Sequence, residues 1–299
     1  MNLLNFKRKF LVIPRFCKDF LFYIAGNLYL KRNKFDIKVL TIAETISIAK
    51  EKSIIRFGDG EIAIMNGKNI VYQPFNEELA NNLLEIVNSK NKDVLICLPN
   101  IFGDMNDLRF KDKYFHTKFL FQYRNYFKNE VSSSRFGNTF MSRPYMIFKD
   151  KEKSEEYFLK IKELWNQKDI VIVEGEKSKS GVGNTLFSNT KSIERIICPS
   201  ENAFSKSEDI MIQIQKMDKN KLFLFALGPT AKIIIYDLVK LGYRAIDIGH
   251  LDSEYEWSLR KAKDKIKING KHTAEFKDDV SYQDFNDQDY LQQVVKVVK

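Results

Sequence analysis

Short runs of β-branched and aromatic residues alternate along this chain with segments whose apolar positions recur at helical spacing. The runs predict strands at Ser53–Phe57, Asp93–Leu98, Asp169–Glu174, Ile193–Cys198, Lys221–Leu227 and Arg244–Ile248. The helical spacing predicts helices over Thr41–Lys52, Glu77–Asn88, Lys151–Gln167 and Thr230–Leu241. In the second of these, Leu79, Leu83, Leu84 and Val87 form one apolar stripe and Asn76 stands at the cap. Ile170–Val173 and Leu222–Phe225 are apolar at every position, so both faces of these strands must be covered. Strands of that kind belong to parallel sheets between helix layers. The pattern predicts an α/β fold, a Rossmann-like, mostly parallel sheet sandwiched by helices. Residues 107–150 are aromatic and basic and break the alternation, reading as an insertion or helical subdomain.

Charge changes this picture at one end. The chain of 299 residues carries a net charge of +10, but residues 1–39 hold nine Lys/Arg against Asp19 and Asp36. The other 260 residues are left with +3, so a nucleic-acid-binding core is not implied. The N-terminal cations are interleaved with Phe6, Phe10, Leu11, Phe16, Phe20, Leu21, Phe22 and Tyr23. No run there approaches the roughly 18 apolar residues of a membrane span, and no signal-peptide cleavage pattern follows. A basic, aromatic segment suits peripheral contact with an anionic membrane; a helical hairpin packed on the body of the protein suits it equally. Cys17, Cys97 and Cys198 are too far apart for a metal motif, and the latter two sit in apolar runs, as buried thiols of a reducing, cytoplasmic compartment do. The resulting organisation is a basic extension (1–39), a main α/β domain (40–280) and a polar tail (281–299).

Ligands of open parallel sheets bind beyond the carboxyl ends of the strands, and four loops there are unusual. In Arg56-Phe57-Gly58-Asp59-Gly60-Glu61, an extended backbone puts Asp59 and Glu61 on one side, as a pair of oxygen ligands for Mg²⁺ or Mn²⁺, with Arg56 as a fixed cation nearby. A plain Gly-Asp-Gly surface turn is the competing reading. The loop Glu174–Asn184 joins glycines and hydroxyls to Lys177 and Lys179, a composition that can wrap an anion but lacks Walker spacing. Leu227-Gly228-Pro229-Thr230-Ala231 is built to start a helix, with Thr230 helping to cap it, and a helix start of this kind favours a phosphate. Asp247–Trp257 packs His250, Asp252, Glu254 and Glu256 just past a strand end, where each is a candidate acid, base or ligand.

In this order the loops resemble the bacterial GT-D type glycosyltransferases, a family first described as a domain of unknown function. The matching stretches are Arg56–Glu61, Ser142-Arg143-Pro144, Val173–Asn184, Pro199–Ala203, Leu227–Ala231 and Gly249–Trp257, spanning about residues 40–275. The resemblance implies a GT-D fold and a metal-dependent transfer of a sugar, expected to be a hexose, from a nucleoside-diphosphate sugar such as UDP-glucose. The acceptor would be a glycan, lipid-linked glycan or glycoprotein in surface polysaccharide or glycoprotein synthesis. It assigns the metal and diphosphate to Asp59 and Glu61. Arg56, Arg143, Lys177, Asn184 and the Gly228-Pro229-Thr230 turn then form the diphosphate neighbourhood. The acceptor's base is sought among Glu256, His250, Glu254 and Asp252, with Glu256 and His250 preferred. A metal-dependent phosphosugar phosphohydrolase would use the same carboxylates, and a non-catalytic module binding anionic polymers would use the basic N-terminus. Carboxylates dense at strand ends argue against the module.

Overall fold

A computed structural model describes residues 15–132, 135–271 and 287–299, with side chains from Asp19 onward. Among these, nine strands form one parallel sheet: β1 (Lys38–Val39), β2 (Ser53–Arg56), β3 (Val94–Leu98), β4 (Arg135–Asn138), β5 (Asp169–Gly175), β6 (Ser192–Cys198), β7 (Leu222–Ala226), β8 (Arg244–Asp247) and β9 (Val294–Val297). Their spatial order is β1-β4-β3-β2-β8-β7-β5-β6-β9. The Rossmann-like α/β class expected from the alternation is the one observed, and all six expected strands are present within a residue or two of their bounds.

Three strands escaped the pattern. β1, β4 and β9 have two to four residues each, too few to show a period. β4 lies inside the segment read as an insertion. That segment does form helices α5 (Phe110–Gln122) and α6 (Arg124–Asn129), but it then returns to the sheet beside β3. β9, in the stretch assigned to the tail, pairs in parallel with β6.

The remaining helices, in chain order, are α1 (Arg15–Arg32), α2 (Ile42–Ala49), α3 (Asp59–Met65), α4 (Glu77–Val87), α7 (Glu152–Lys162), α8 (Ser207–Gln215), α9 (Gly228–Lys240), α10 (Leu251–Leu259) and α11 (Gln288–Gln293). Asn76 caps α4, its side chain accepting from Leu79 N, and Leu79, Leu83 and Val87 are buried as the stripe required. The fully apolar strands are covered on both faces: Ile170–Val173 and Leu222–Phe225 are at most 2% exposed. Burying these eight side chains, at about 2 kcal/mol each, contributes strongly to stability. Cys97 and Cys198 are buried free thiols, and burial pushes the Cys198 thiol up to about 12.

The chain leaves β2 towards β3 on one side of the sheet, whereas β8 neighbours β7 on the other. The β2/β8 boundary is therefore where the winding reverses, and the crevice beyond its carboxyl end is where an open α/β sheet receives a ligand.

Candidate active site

β2 and β8 pair through Ile54 and Ile246, so their last residues, Arg56 and Asp247, stand side by side at that crevice. Arg56 is buried and its guanidinium is committed. Nε donates to the Asp247 carbonyl at 2.7 Å, Nη2 to Asp247 Oδ1 at 2.7 Å, and Nη1 to the Ser142 hydroxyl. Gly249, at φ +47°, lets the chain pass directly over this guanidinium. From the other side Lys232 reaches in from α9, its Nζ 2.9 Å from both Asp247 Oδ2 and Glu61 Oε1. Two cations and two carboxylates thus form a buried, charge-balanced platform. Burial opposes the charge on Asp247, but Arg56 and Lys232 outweigh it and hold the carboxyl below its usual range.

The Asp-x-Glu segment is not extended, which corrects the expectation of two carboxylates on one side. The chain turns at Gly58 and Asp59 opens α3, so Asp59 and Glu61 are its first and third residues, about 200° apart around the axis. Glu61 folds back to accept from Gly58 N at 2.8 Å through Oε2 while Oε1 holds Lys232. A helix start wants this arrangement, because its free N–H groups and dipole favour a carboxylate in the first turn. Asp59 remains exposed, yet enough protein surrounds its carboxyl that desolvation pushes it up, with Arg143 opposing and Glu61 adding to the rise.

The diphosphate candidates divide. Arg143 follows the 3-10 turn Thr139–Ser142, which is fastened to β2 by Thr139 Oγ1 donating to the Phe57 carbonyl at 2.8 Å. Half-buried, it is close enough to act electrostatically on both Asp59 and Glu254. α9 starts at Gly228 with Pro229 in its first turn, and Tyr72 lies against Gly228, where a Cβ would fall 2.8 Å from the Tyr72 ring. Thr230 does not cap α9. The N-cap is Leu227, and the buried Thr230 hydroxyl has no hydrogen-bond partner among the described residues. Lys177 is half-buried on the loop after β5.

That loop is held from both ends. Glu174 pairs with Arg195 Nη1 at 2.5 Å and accepts from Ser180 N at 2.7 Å. Asn184 donates through Nδ2 to Asp252 Oδ1 at 2.8 Å and to Glu256 Oε1 at 2.9 Å. Asp252 and Glu256, one turn apart on α10, share the face that also meets Lys271. Glu256 further accepts from Arg260 at 3.1 Å. Asn184, Asp252 and Glu256 therefore work as a clasp on the loop, with their oxygens already engaged.

Glu254, on the opposite face of α10, is fully buried. Its Oε2 accepts from Tyr145 N at 3.1 Å and Met146 N at 2.8 Å, and Oε1 has no hydrogen-bond partner among the described residues. Burial pushes its carboxyl up, against the pull of Arg143. His250 is the half-buried N-cap residue of α10, one position beyond Gly249.

Sequence reasoning missed Lys232 and Tyr72, and gave no role to Ser142 although it lies in a matching stretch. Lys232 had a signal: it is a lone cation between Ala231 and Ile233-Ile234-Ile235 on a helix buried along most of its length. Tyr72 had none, and nothing local distinguishes the Ser142 hydroxyl as the one that meets Arg56, a residue far along the chain.

The metal reading can be tested on these positions. Among the described residues no three His, Cys, Asp or Glu side chains gather as a ligand set. Asp59 presents an open carboxylate, whereas Glu61 faces Lys232. One carboxylate completed by a substrate's diphosphate oxygens is a known way to hold Mg²⁺.

Comparisons with known proteins bear on the fold and the family. A family model described as glycosyltransferase GT-D fold matches residues 54–276. A probable glycosyl transferase, Gly, of Streptococcus gordonii is 44% identical over 264 residues, covering 87% of this chain and 38% of that protein. Glycosyltransferase GlyD of Streptococcus pneumoniae serotype 4 is 41% identical over 262 residues, 87% of this chain and 32% of that protein. The chain therefore spans about a third to two fifths of these relatives. A solved structure of domain of unknown function 1792, reported to have a distinct glycosyltransferase fold, aligns with a TM-score of 0.87 at 42% identity, covering 93% of this chain and all of the other. Another, a glycosyltransferase of Streptococcus sanguinis from the same domain group, aligns at 0.84 and 43% identity, over 88% of this chain and all of the other. With the model matching from β2 to beyond α10, the chain belongs to the glycosyltransferase GT-D fold family.

Proposed function

We propose that this domain transfers a sugar, a hexose, from a nucleoside-diphosphate sugar such as UDP-glucose to a glycan, lipid-linked glycan or glycoprotein acceptor. The observation that carries the reading is Asp59, an open carboxylate on a rigid buried charge platform at the sheet's reversal point. Family membership and the names of the relatives support it.

In this reading Asp59 would hold a Mn²⁺ or Mg²⁺ ion together with the donor's diphosphate. When bound, the ion neutralises charge on the leaving nucleoside diphosphate. Arg143, Lys177 and the N-terminal turn of α9 add fixed positive potential there. Glu61 acts as a positioning residue, fixing the start of α3 against Lys232. Arg56, whose guanidinium is engaged by Asp247 and Ser142, positions the loop at Gly249 and supports the site without touching the donor. His250, carried by that loop, takes the acceptor's proton. Glu254 is the alternative base, while the clasp engages Glu256 and Asp252.

Calorimetric titration with UDP in Mn²⁺ and in EDTA, with turnover of UDP-glucose, is the test. Tighter binding with the metal and slow donor hydrolysis are expected. Equal affinities would remove the metal from the reading, and release of phosphate from simple esters would favour a phosphohydrolase. His250→Ala should lower kcat and kcat/KM together; a rise in donor KM alone would make it a donor ligand.

A further inference from the structure

α1 is docked on one side and bare on the other. Its inner side meets α5 closely: a Cβ on Gly26 would fall 2.9 Å from Thr117 Cγ2. Tyr23 packs on Tyr114 with tilted rings 4.7 Å apart, and Phe22 and Tyr29 contact Phe121 at 5.9 and 5.7 Å. Phe22, Tyr23 and Tyr29 are thus partly structural, while Phe6, Phe10, Leu11 and the Phe16 side chain lie outside what the structure describes. On the outer side, Phe20, Leu21, Ile24 and Leu28 are 47%, 56%, 40% and 52% exposed. At 100° per residue these four and Lys31 fall within a sector of roughly 100°. Phe110 of α5, 70% exposed and touching Tyr23, widens the apolar surface.

Folding does not leave large apolar side chains in a row on a solvent face without a use, because each forfeits burial. The charges around this row decide its occupant. Lys31 and Arg32 are exposed at the helix's end, and Lys34 and Lys38 are exposed just beyond it. A second copy would bring like charge against like charge. An apolar stripe with a cationic flank fits the interfacial zone of an anionic bilayer, where aromatic and aliphatic groups enter the headgroup boundary and Lys/Arg meet lipid phosphates. No helix among the described residues is long and apolar enough to cross a membrane.

We propose that the outer face of α1 seats this protein peripherally on an anionic lipid surface. This stands apart from the donor chemistry, since lipid binding needs no turnover. It also has a geometric consequence. α5, on which α1 sits, contacts Phe140 through His116 at 5.4 Å, and Phe140 belongs to the 3-10 turn leading to Arg143. One helix layer separates the lipid-facing surface from the candidate site.

The test is flotation of the full chain with phosphatidylglycerol/phosphatidylcholine vesicles and with pure phosphatidylcholine vesicles. Two variants accompany it, one with Leu21→Ser, Ile24→Ser and Leu28→Ser, the other with Lys31→Gln, Arg32→Gln and Lys34→Gln. The wild type should float with the anionic vesicles alone. Each variant should bind at least tenfold less, with melting curves unchanged because these side chains lie on the solvent face. Should the apolar variant melt far lower, the cationic variant decides. A wild type that does not float, or that floats equally on neutral lipid, overturns the proposal. So does a wild-type dimer in light scattering that the apolar variant dissociates without any flotation, which would assign the face to a second copy.

Discussion

Gly249 lies so close over Arg56 that a Cβ built on it would fall 1.8 Å from the guanidinium Nη2. Both causes that demand glycine coincide here, since φ is +47° as well. Gly249→Ala should therefore cost about 3 kcal/mol or more, part backbone strain and part displacement of a buried ion pair. Urea denaturation measures it. An alanine variant as stable as the wild type would mean that Arg56 is not fixed beneath this loop.

Lys232→Met should cost about 3–5 kcal/mol, because it leaves Glu61 without its buried counterion and halves the cationic support of Asp247. Adding Glu61→Gln to that variant should recover more than about 1 kcal/mol, as expected for partners in one network. A double variant whose losses simply add would show that the 2.9 Å contact contributes nothing.

Asp59→Asn and Glu61→Gln should behave differently although they are two residues apart. In the proposed reaction Asp59→Asn should lower kcat by about 10²-fold or more with an unchanged melting curve, because the side chain is exposed. Glu61→Gln should lower stability as well as turnover, because its carboxylate is bonded to Gly58 N and Lys232. Equal melting losses in both would contradict the separate placements seen here.

His116 gives stability a pH dependence. Burial, with the Arg143 charge adding to it, lowers its pKa from 6.5 to about 4, and its buried Nδ1 has no hydrogen-bond partner among the described residues. The unfolded chain binds this proton more readily than the folded one, so the contribution is whole above about pH 6.5 and fades as pH falls towards 4. The loss should reach at most a few kcal/mol. His116→Phe should flatten that slope in urea melts at pH 7.5 and 5. Asp247 does not confuse the test, since its depressed pKa places its own loss below pH 4. A variant with the full acid loss would assign the slope to other groups.

Much of this was written in the order of residues. Two-sided apolar runs required a covered parallel sheet, because an exposed face of Ile170–Val173 or Leu222–Phe225 would leave too much hydrocarbon in water. The same runs marked the strand ends, and with them the loops carrying Asp59, Gly228 and His250. The helical stripe and Asn76 cap of α4 were equally local, and local features survive folding unchanged.

Which carboxylate faces the solvent was not local. Asp59 and Glu61 are neighbours of like charge on paper, and they part only because the chain turns into α3, which points one outward and the other at Lys232 from 171 residues further on. Arg56 reads as a free cation until β8, paired with β2, brings Asp247 beside it. Glu256 reads as a base until Asn184 and Arg260 take its oxygens. In each case the sequence determined which charges the site contains. The tertiary structure decided which are neutralised inside it and which stay open, because a buried charge must find its counterion wherever the fold happens to place one.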